Sequence, residues 1–433
     1  MNSLKRITMN IIWFRRDLRL EDNTAFNEAL KQNKDVLPIF IFDDDIIDEL
    51  ESDDPRVNFI YECLSKMNTS LLDKKSSLLV LRGKVELIWN DLIKKYPIKK
   101  VYFNHDYEPY AIKRDQEVTK FLEDKGIIVE TFKDHVIFEK GEITKKDGLP
   151  YSIYTPYKNK WLEKYNTQVI EKDAVPKWSN LNPEIFEFPS LNSLGLSTSL
   201  IKVKKWDISE IENYDANRNF PALNATSALG PHLRFGTVSI RKLTAEAKKR
   251  NQIFLSELIW REFFMQILWH YPESAHQNFK AKYNGVQWRN NSAEFEKWCK
   301  GQTGYPIVDA GMRELNETGY MHNRVRMITA SFLIKHLLID WRWGEAYFAK
   351  KLLDFELSSN AGNWQWAAGT GCDSAPYFRV FNPYEQVKKF DKDLNYIKKW
   401  VPEFQELTYP QPMVEHKMAR LRALETYKIG LNA

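Results

Sequence analysis

Cysteine is scarce in this chain. Its 433 residues include only Cys63, Cys299 and Cys372, too far apart to frame a disulfide scaffold or to share a metal ion, so buried apolar thiols in a reducing compartment are expected. No metal site is expected either. Long apolar runs are missing, which excludes a membrane-spanning helix. Lys5 and Arg6 are not followed by the apolar stretch of a secretory leader. A soluble, cytoplasmic protein follows as the expectation. No G-x-G-x-x-G occurs, so a Rossmann-type dinucleotide site is excluded, and no internal repeat or low-complexity tract is present. Charge of one sign is also lacking: 63 basic against 58 acidic residues leave a net +5. That balance permits a nucleic-acid partner without demanding one.

What is present is aromatic. Phe, Trp and Tyr make up 14% of the chain, and nine of the fourteen tryptophans lie from Trp260 onward. The first third alternates apolar runs with helical spacing. Strands are predicted at 9–15, Val36–Phe42, Leu78–Leu81, Val101–Phe103 and Ile127–Phe132, with helices between them, the first capped by Asp22. This alternation predicts an α/β, doubly wound parallel sheet over residues 1–135, with ligands bound beyond the carboxyl ends of its strands. From 136 to 212 periodicity fades and Pro150, Pro156, Pro176, Pro183 and Pro189 punctuate the chain, which reads as a long connector. Residues 213–433 are almost wholly helical in pattern, with helices at 242–249, 253–271, 292–299, 306–318, 321–338 and 343–353. They predict a bundle with a cleft between helices.

Within that bundle, Asp354-Phe-Glu-Leu-Ser-Ser-Asn360-Ala-Gly-Asn-Trp364-Gln-Trp366 continues through a Gly-rich stretch to Arg379 and Asn382. Carboxylates, amides, indoles and small residues together suit a large planar, partly polar cofactor or a Trp-rich core. Glu257, Trp260, Arg261 and Phe264 share a helical face by spacing. By geometry alone Glu257 and Arg261 read as an intrahelical ion pair, and Met327 reads as core. Trp364 and Trp366, two apart, stand about 200° from each other on a helix and must look to opposite sides.

The Asp354–Asn382 segment resembles the flavin-binding signature of the photolyase/cryptochrome family. So do Trp13-Phe-Arg-Arg-Asp-Leu-Arg19, Glu257-Leu-Ile-Trp-Arg-Glu-Phe, Thr303-Gly-Tyr-Pro-Ile-Val-Asp-Ala-Gly-Met-Arg and Met321-His-Asn-Arg-Val-Arg-Met327. They occur in the family's order and spacing, from Met9 to about Lys417. The likeness is nearest to class I members acting on cyclobutane pyrimidine dimers. (6-4) photoproduct enzymes carry histidines where Asn323 and Met327 stand.

The resemblance implies an N-terminal antenna domain and a C-terminal domain that binds FAD and UV-damaged DNA, in a monomer that is nucleoid-associated when bound to DNA. It implies light-driven electron transfer from reduced FAD to the dimer. The substrate side would comprise Glu257 as a buried, protonated hydrogen-bond donor, Trp260 and Trp366 as a sandwich, Met327 on the lesion, and Arg218, Arg324 and Arg379 on phosphates. On the flavin side would stand Arg261, Asn323, the Arg326–Asp354 pair, Glu356, and Asn360 facing the flavin N5. Tyr214 and the loop Thr226, Ser227, Ala228, Leu229 and Gly230 resemble the phosphate-binding loop, though the family usually has a Ser at the last loop position and often an Arg in the middle. Trp288, Trp341 and Trp364 match a three-indole electron relay. Folate-binding members carry an Asn-Glu pair where this chain has Tyr110 and Ala111, so the second chromophore is expected to be a deazaflavin type or none. A non-repairing, light-sensing cryptochrome is the rival reading. Asn360, Met327 and Trp366 favour repair.

Overall fold

The computed structural model describes residues 8–168, 176–223 and 225–432. The chain forms two compact units. One comprises Met1–Glu139, Thr167–Lys204 and Gly230–Ala245; the other comprises Lys140–Asn166, Lys205–Leu229 and Glu246–Ala433. The units therefore interleave along the chain, and the stretch expected as a connector at 136–212 is divided between them. Residues 169–175 of it lie outside the described residues.

The first unit holds five strands, β1 (Met9–Phe14), β2 (Val36–Asp43), β3 (Leu79–Gly83), β4 (Ile98–Asn104) and β5 (Ile128–Phe132). They form one parallel sheet in the order β3-β2-β1-β4-β5. Alternate side chains go to opposite faces. Ile12, Phe14, Phe40 and Phe42 pack with the helices Thr24–Gln32 and Pro55–Leu72, while Ile11, Trp13, Ile39 and Phe103 pack with Val85–Lys95 and Pro109–Glu123. Ile11 and Ile12 are fully buried, each contributing about 1.5–3 kcal/mol. The first helix is capped by Asn23, whose side chain accepts from the Phe26 N–H, and not by Asp22. Asp22 adopts a left-handed φ of 49° and gives its carboxylate to Arg241 and Ser239.

The Trp13–Arg19 motif serves this unit structurally. Arg19 Nη2 donates to Asp134 Oδ2 at 2.6 Å, and Arg241 Nη2 donates to Asp134 Oδ1 at 3.0 Å. Burial would push the Asp134 carboxyl up, but Arg19 and Arg241 hold it well below its usual range. At the carboxyl end of the sheet, charged side chains engage one another. Tyr110 donates to Asp43 Oδ2 at 2.7 Å, Arg114 lies 5.2 Å from the Trp13 ring, and Arg234 donates to Glu108 at 2.8 Å.

The second unit is helical, and among its described residues is no strand. Helix Tyr154–Thr167, expected within the connector, is held to helix Gln252–His270 through the buried Glu262, which accepts from Trp161 Nε1 at 2.6 Å and from the Tyr157 hydroxyl at 3.3 Å. The helix expected at 321–338 begins at Asn323 and is α-helical only to Ser331. It then runs as a π turn over Phe332–His336, which carries Lys335 and His336 into the core. Lys335 Nζ donates to Ala368 O at 2.9 Å, at the end of helix Leu357–Ala368, and lies 3.6 Å from the Tyr427 ring centre. All three cysteines are free, and burial pushes the Cys63 and Cys299 thiols up to about 12. No helix among the described residues is long and apolar enough to cross a membrane.

Candidate functional site

Two helices of the second unit, Asn323–Ser331 and Leu357–Ala368, meet around a cavity open to solvent. Asn323, Arg326, Met327 and Ala330 line it from the first helix, one face at i, i+3, i+4 and i+7. The second contributes Ser359, Asn360, Asn363, Trp364, Trp366 and Ala367. Trp364 and Trp366 both border this cavity, contrary to the expectation that they face different spaces. The lining residues span about 160° of helix surface, so the two indoles sit at its margins.

The polar lining is held in place. Arg326 Nη2 donates to both oxygens of Asp354, at 3.1 and 2.9 Å, and its Nε donates to Met321 O at 2.8 Å. Asn360, 8% exposed, gives its amide nitrogen to Glu345 twice, to Oε1 at 2.8 Å and to the backbone O at 3.0 Å. With both N–H groups committed, Asn360 has only its Oδ1 acceptor left for the cavity. Burial raises the Glu345 carboxyl above its ordinary range, against that hydrogen bond. Amides, an ion pair, a flat indole wall and Phe355 form a donor set that fits the polar edge and apolar faces of a flavin.

Around this cavity the other expected residues divide. Arg261 lies 3.9 Å from the cavity-lining Glu356, and Glu257 pairs with Arg218 at 2.5 Å, so the intrahelical Glu257–Arg261 pair does not form. Glu257 is correspondingly not buried as expected: it is about one-third exposed and ion-paired. Trp260 is half-buried, with Tyr154 stacked on it at 3.6 Å and 8°. Arg324 donates to Asn219 at 2.5 Å and lies 4.4 Å from the Phe390 ring. Arg379 is exposed on the loop after Gly369. Trp341 and Trp364 are 1% and 2% exposed, and the half-buried Trp288 packs against the same core. Tyr214 and Thr226–Leu229 are not among the described residues that line the cavity. Ala228 is left-handed with φ 51°, and Gly230 opens a one-turn helix, Gly230–Arg234, in the first unit.

Sequence reasoning missed Glu345, Tyr154, Asn219 and Phe390. Each acts on a partner at least fifteen positions away, beyond the reach of local periodicity. It also missed His322, which caps helix Asn323–Ser331 by accepting from the Arg324 N–H at Nδ1. Burial, with Arg326, Arg324 and Arg218 adding, lowers His322 to about 4. Since the unfolded chain takes up this proton near pH 6.5 and the folded chain only near 4, stability falls as pH drops through that window. His322→Asn should flatten the thermal-melt profile between pH 6.5 and 4 by about 1–3 kcal/mol. An unchanged profile would remove His322 from this role.

A family model described as the FAD binding domain of DNA photolyase matches residues 254–408, and one described as DNA photolyase matches residues 10–177. A deoxyribodipyrimidine photo-lyase of Agrobacterium fabrum is 35% identical over 96% of this chain and 97% of its own. Among solved structures, a bacterial class III photolyase from Agrobacterium tumefaciens superposes with a TM-score of 0.88 at 33% identity, covering all of both chains. An archaeal photolyase from Sulfolobus tokodaii, described with two FAD molecules, gives 0.85 at 34% identity over 97% of this chain and all of that one.

Proposed function

The chain belongs to the DNA photolyase family, and from that premise we propose that it is a flavin-dependent enzyme that splits cyclobutane pyrimidine dimers in DNA under blue light. The observation that carries this reading is the cavity between helices Asn323–Ser331 and Leu357–Ala368. It gathers Asn323, Arg326, Met327, Asp354, Glu356, Asn360, Trp364 and Trp366 around one space. Bound there, reduced FAD would supply the single-electron chemistry, driven by light, that opening the cyclobutane bonds requires.

The Arg326–Asp354 pair and the Glu356 carboxylate near Arg261 hold the cofactor. Asn360, its amide turned toward Glu345, offers Oδ1 to a flavin N–H and adds no charge. Tyr214, Thr226, Ser227, Ala228 and Leu229 serve its phosphates. Photolyases act on a nucleotide extruded from the duplex. Trp260, half-buried and stacked on Tyr154, takes the lesion together with Trp366. Met327 lies against the lesion, and Arg218, Arg324 and Arg379 take backbone phosphates. Trp364, Trp341 and Trp288 pass electrons inward to restore the reduced cofactor. A deazaflavin-type antenna chromophore, or none, completes the reading.

The test is to irradiate the reduced protein with dimer-containing DNA and follow recovery of pyrimidine absorbance. Recovery that requires both light and protein supports repair. With flavin bound and reduced, no recovery overturns it and favours the light-sensing alternative.

A further inference from the structure

The resemblance sends Glu257 to a base of the lesion and Arg218 to a phosphate. The structure joins them instead: Arg218 Nη1 donates to Glu257 Oε1 at 2.5 Å, with side chains 22% and 34% exposed. The guanidinium also lies 5.2 Å from the Tyr214 ring. While this pair is closed, the Arg218 charge is compensated and one oxygen of the Glu257 carboxylate is occupied. The neighbouring Arg324 differs. Its partners are neutral: Asn219, the Met327 sulfur at 3.6 Å and the Phe390 ring. Of these two cations, Arg218 is the one paired with a carboxylate. A pair this exposed opens at small cost, so a better partner for either half can exchange it.

We propose that the Glu257–Arg218 pair is an exchange contact that determines lesion specificity, an inference that rests on the repair reading above. On undamaged DNA no base is presented to Glu257, the pair stays closed, and Arg218 adds no phosphate contact. An extruded pyrimidine brings an imide N–H to the Glu257 carboxylate, which accepts it and releases Arg218 to a backbone phosphate. Charge is conserved, since the guanidinium exchanges one anion for another and the carboxylate gains a donor. The extra phosphate contact is thus available only when a lesion is in place. The carboxylate acts as an internal competitor for phosphate as well as a base contact.

The experiment measures dark binding of the flavin-loaded full chain to oligonucleotides with and without one dimer, across a KCl series. Each neutralised phosphate adds about 0.7–0.9 to the slope of log affinity against log salt. Glu257→Gln should bind undamaged DNA roughly 2–5-fold tighter at low salt, with a slope steeper by about one such contact. Its slope on dimer DNA should not change. Arg218→Ala should lower the slope on dimer DNA by one contact and leave the undamaged slope as it is. The double variant should lose the gain seen in Glu257→Gln. A dimer-selective wild type whose undamaged-DNA slope is the same in Glu257→Gln overturns the exchange and leaves the repair reading standing. A wild type that neither prefers nor repairs dimer DNA overturns both.

Discussion

Asp354→Ala should emerge from purification nearly colourless, with the fold retained. The Asp354 carboxylate receives both of its short contacts from one guanidinium nitrogen, Arg326 Nη2, and both residues line the cavity. Removing the carboxylate leaves a cation facing Phe355 and the cofactor space, tied only to Met321 O. Breaking a fully buried pair costs about 3–5 kcal/mol. The Arg326 and Asp354 side chains are 27% and 19% exposed, so solvent reduces the loss to about 2–3 kcal/mol. That is roughly 30- to 150-fold weaker retention of flavin. The ratio of flavin to protein absorbance after gel filtration reads the effect directly. Asp354→Asn keeps an acceptor for Arg326 and should lose less. If Asp354→Ala keeps a full complement of flavin, the ion pair does not clamp the cofactor. A lowered melting temperature with full flavin content would assign it to the fold instead.

How far such a site can be read from sequence depends on the range of each interaction. Strands β1 to β5 each carry apolar residues, buried throughout β1 and β2 and over the last four residues of β4, and an apolar run is local information. Their predicted bounds differ from the observed ones by at most three residues. The helical faces carrying Asn323, Arg326 and Met327, or Asn360 and Trp364, follow from the 3.6-residue period alone. What the period cannot supply is the partner on another element. Asn360 reads as an amide near a cofactor, but the direction of that amide is fixed by Glu345 on helix Trp341–Lys351. Spacing on one helix suggests Glu257 with Arg261. The folded chain offers each a closer or better-placed partner from elsewhere, Arg218 and Glu356. The same holds for Asp22, a plausible cap by composition, whose carboxylate is drawn instead to Arg241. Family motifs extend the reach of the reading because they encode tertiary contacts indirectly. They assign roles without geometry, however, and so could not show that two expected DNA contacts face each other in the free protein.

Trp364→Phe should separate two activities that share one cofactor. On the proposed reading, repair by chemically reduced protein would draw on the substrate side of the site, at Trp260, Met327 and Trp366, none of which this substitution removes. Regeneration of the reduced cofactor under light draws on an oxidisable ring at the cavity wall. Of the three indoles proposed as a relay, Trp364 lines the cavity, at 2% exposure. Phe348 meets it edge-on at 5.0 Å and Trp298 at 6.1 Å, and a Cβ on Gly344 would strike its ring. The indole therefore has no room to be replaced by a neighbour swinging in. Phenyl fills most of that volume, so stability should fall only by about 1–2 kcal/mol. A phenyl ring is much harder to oxidise than an indole, and the electron must then come from Trp341 or beyond across a longer gap. Photoreduction with an added thiol should slow on the order of 100-fold, equivalent to about 2.7 kcal/mol of barrier. Dimer splitting per absorbed photon in dithionite-reduced protein should match the wild type. Trp341→Phe should reproduce the first effect, because it removes another buried indole of the same core. Wild-type photoreduction in Trp364→Phe would mean that electrons enter the site by another route, and that the match to the three-indole pattern reflects packing alone.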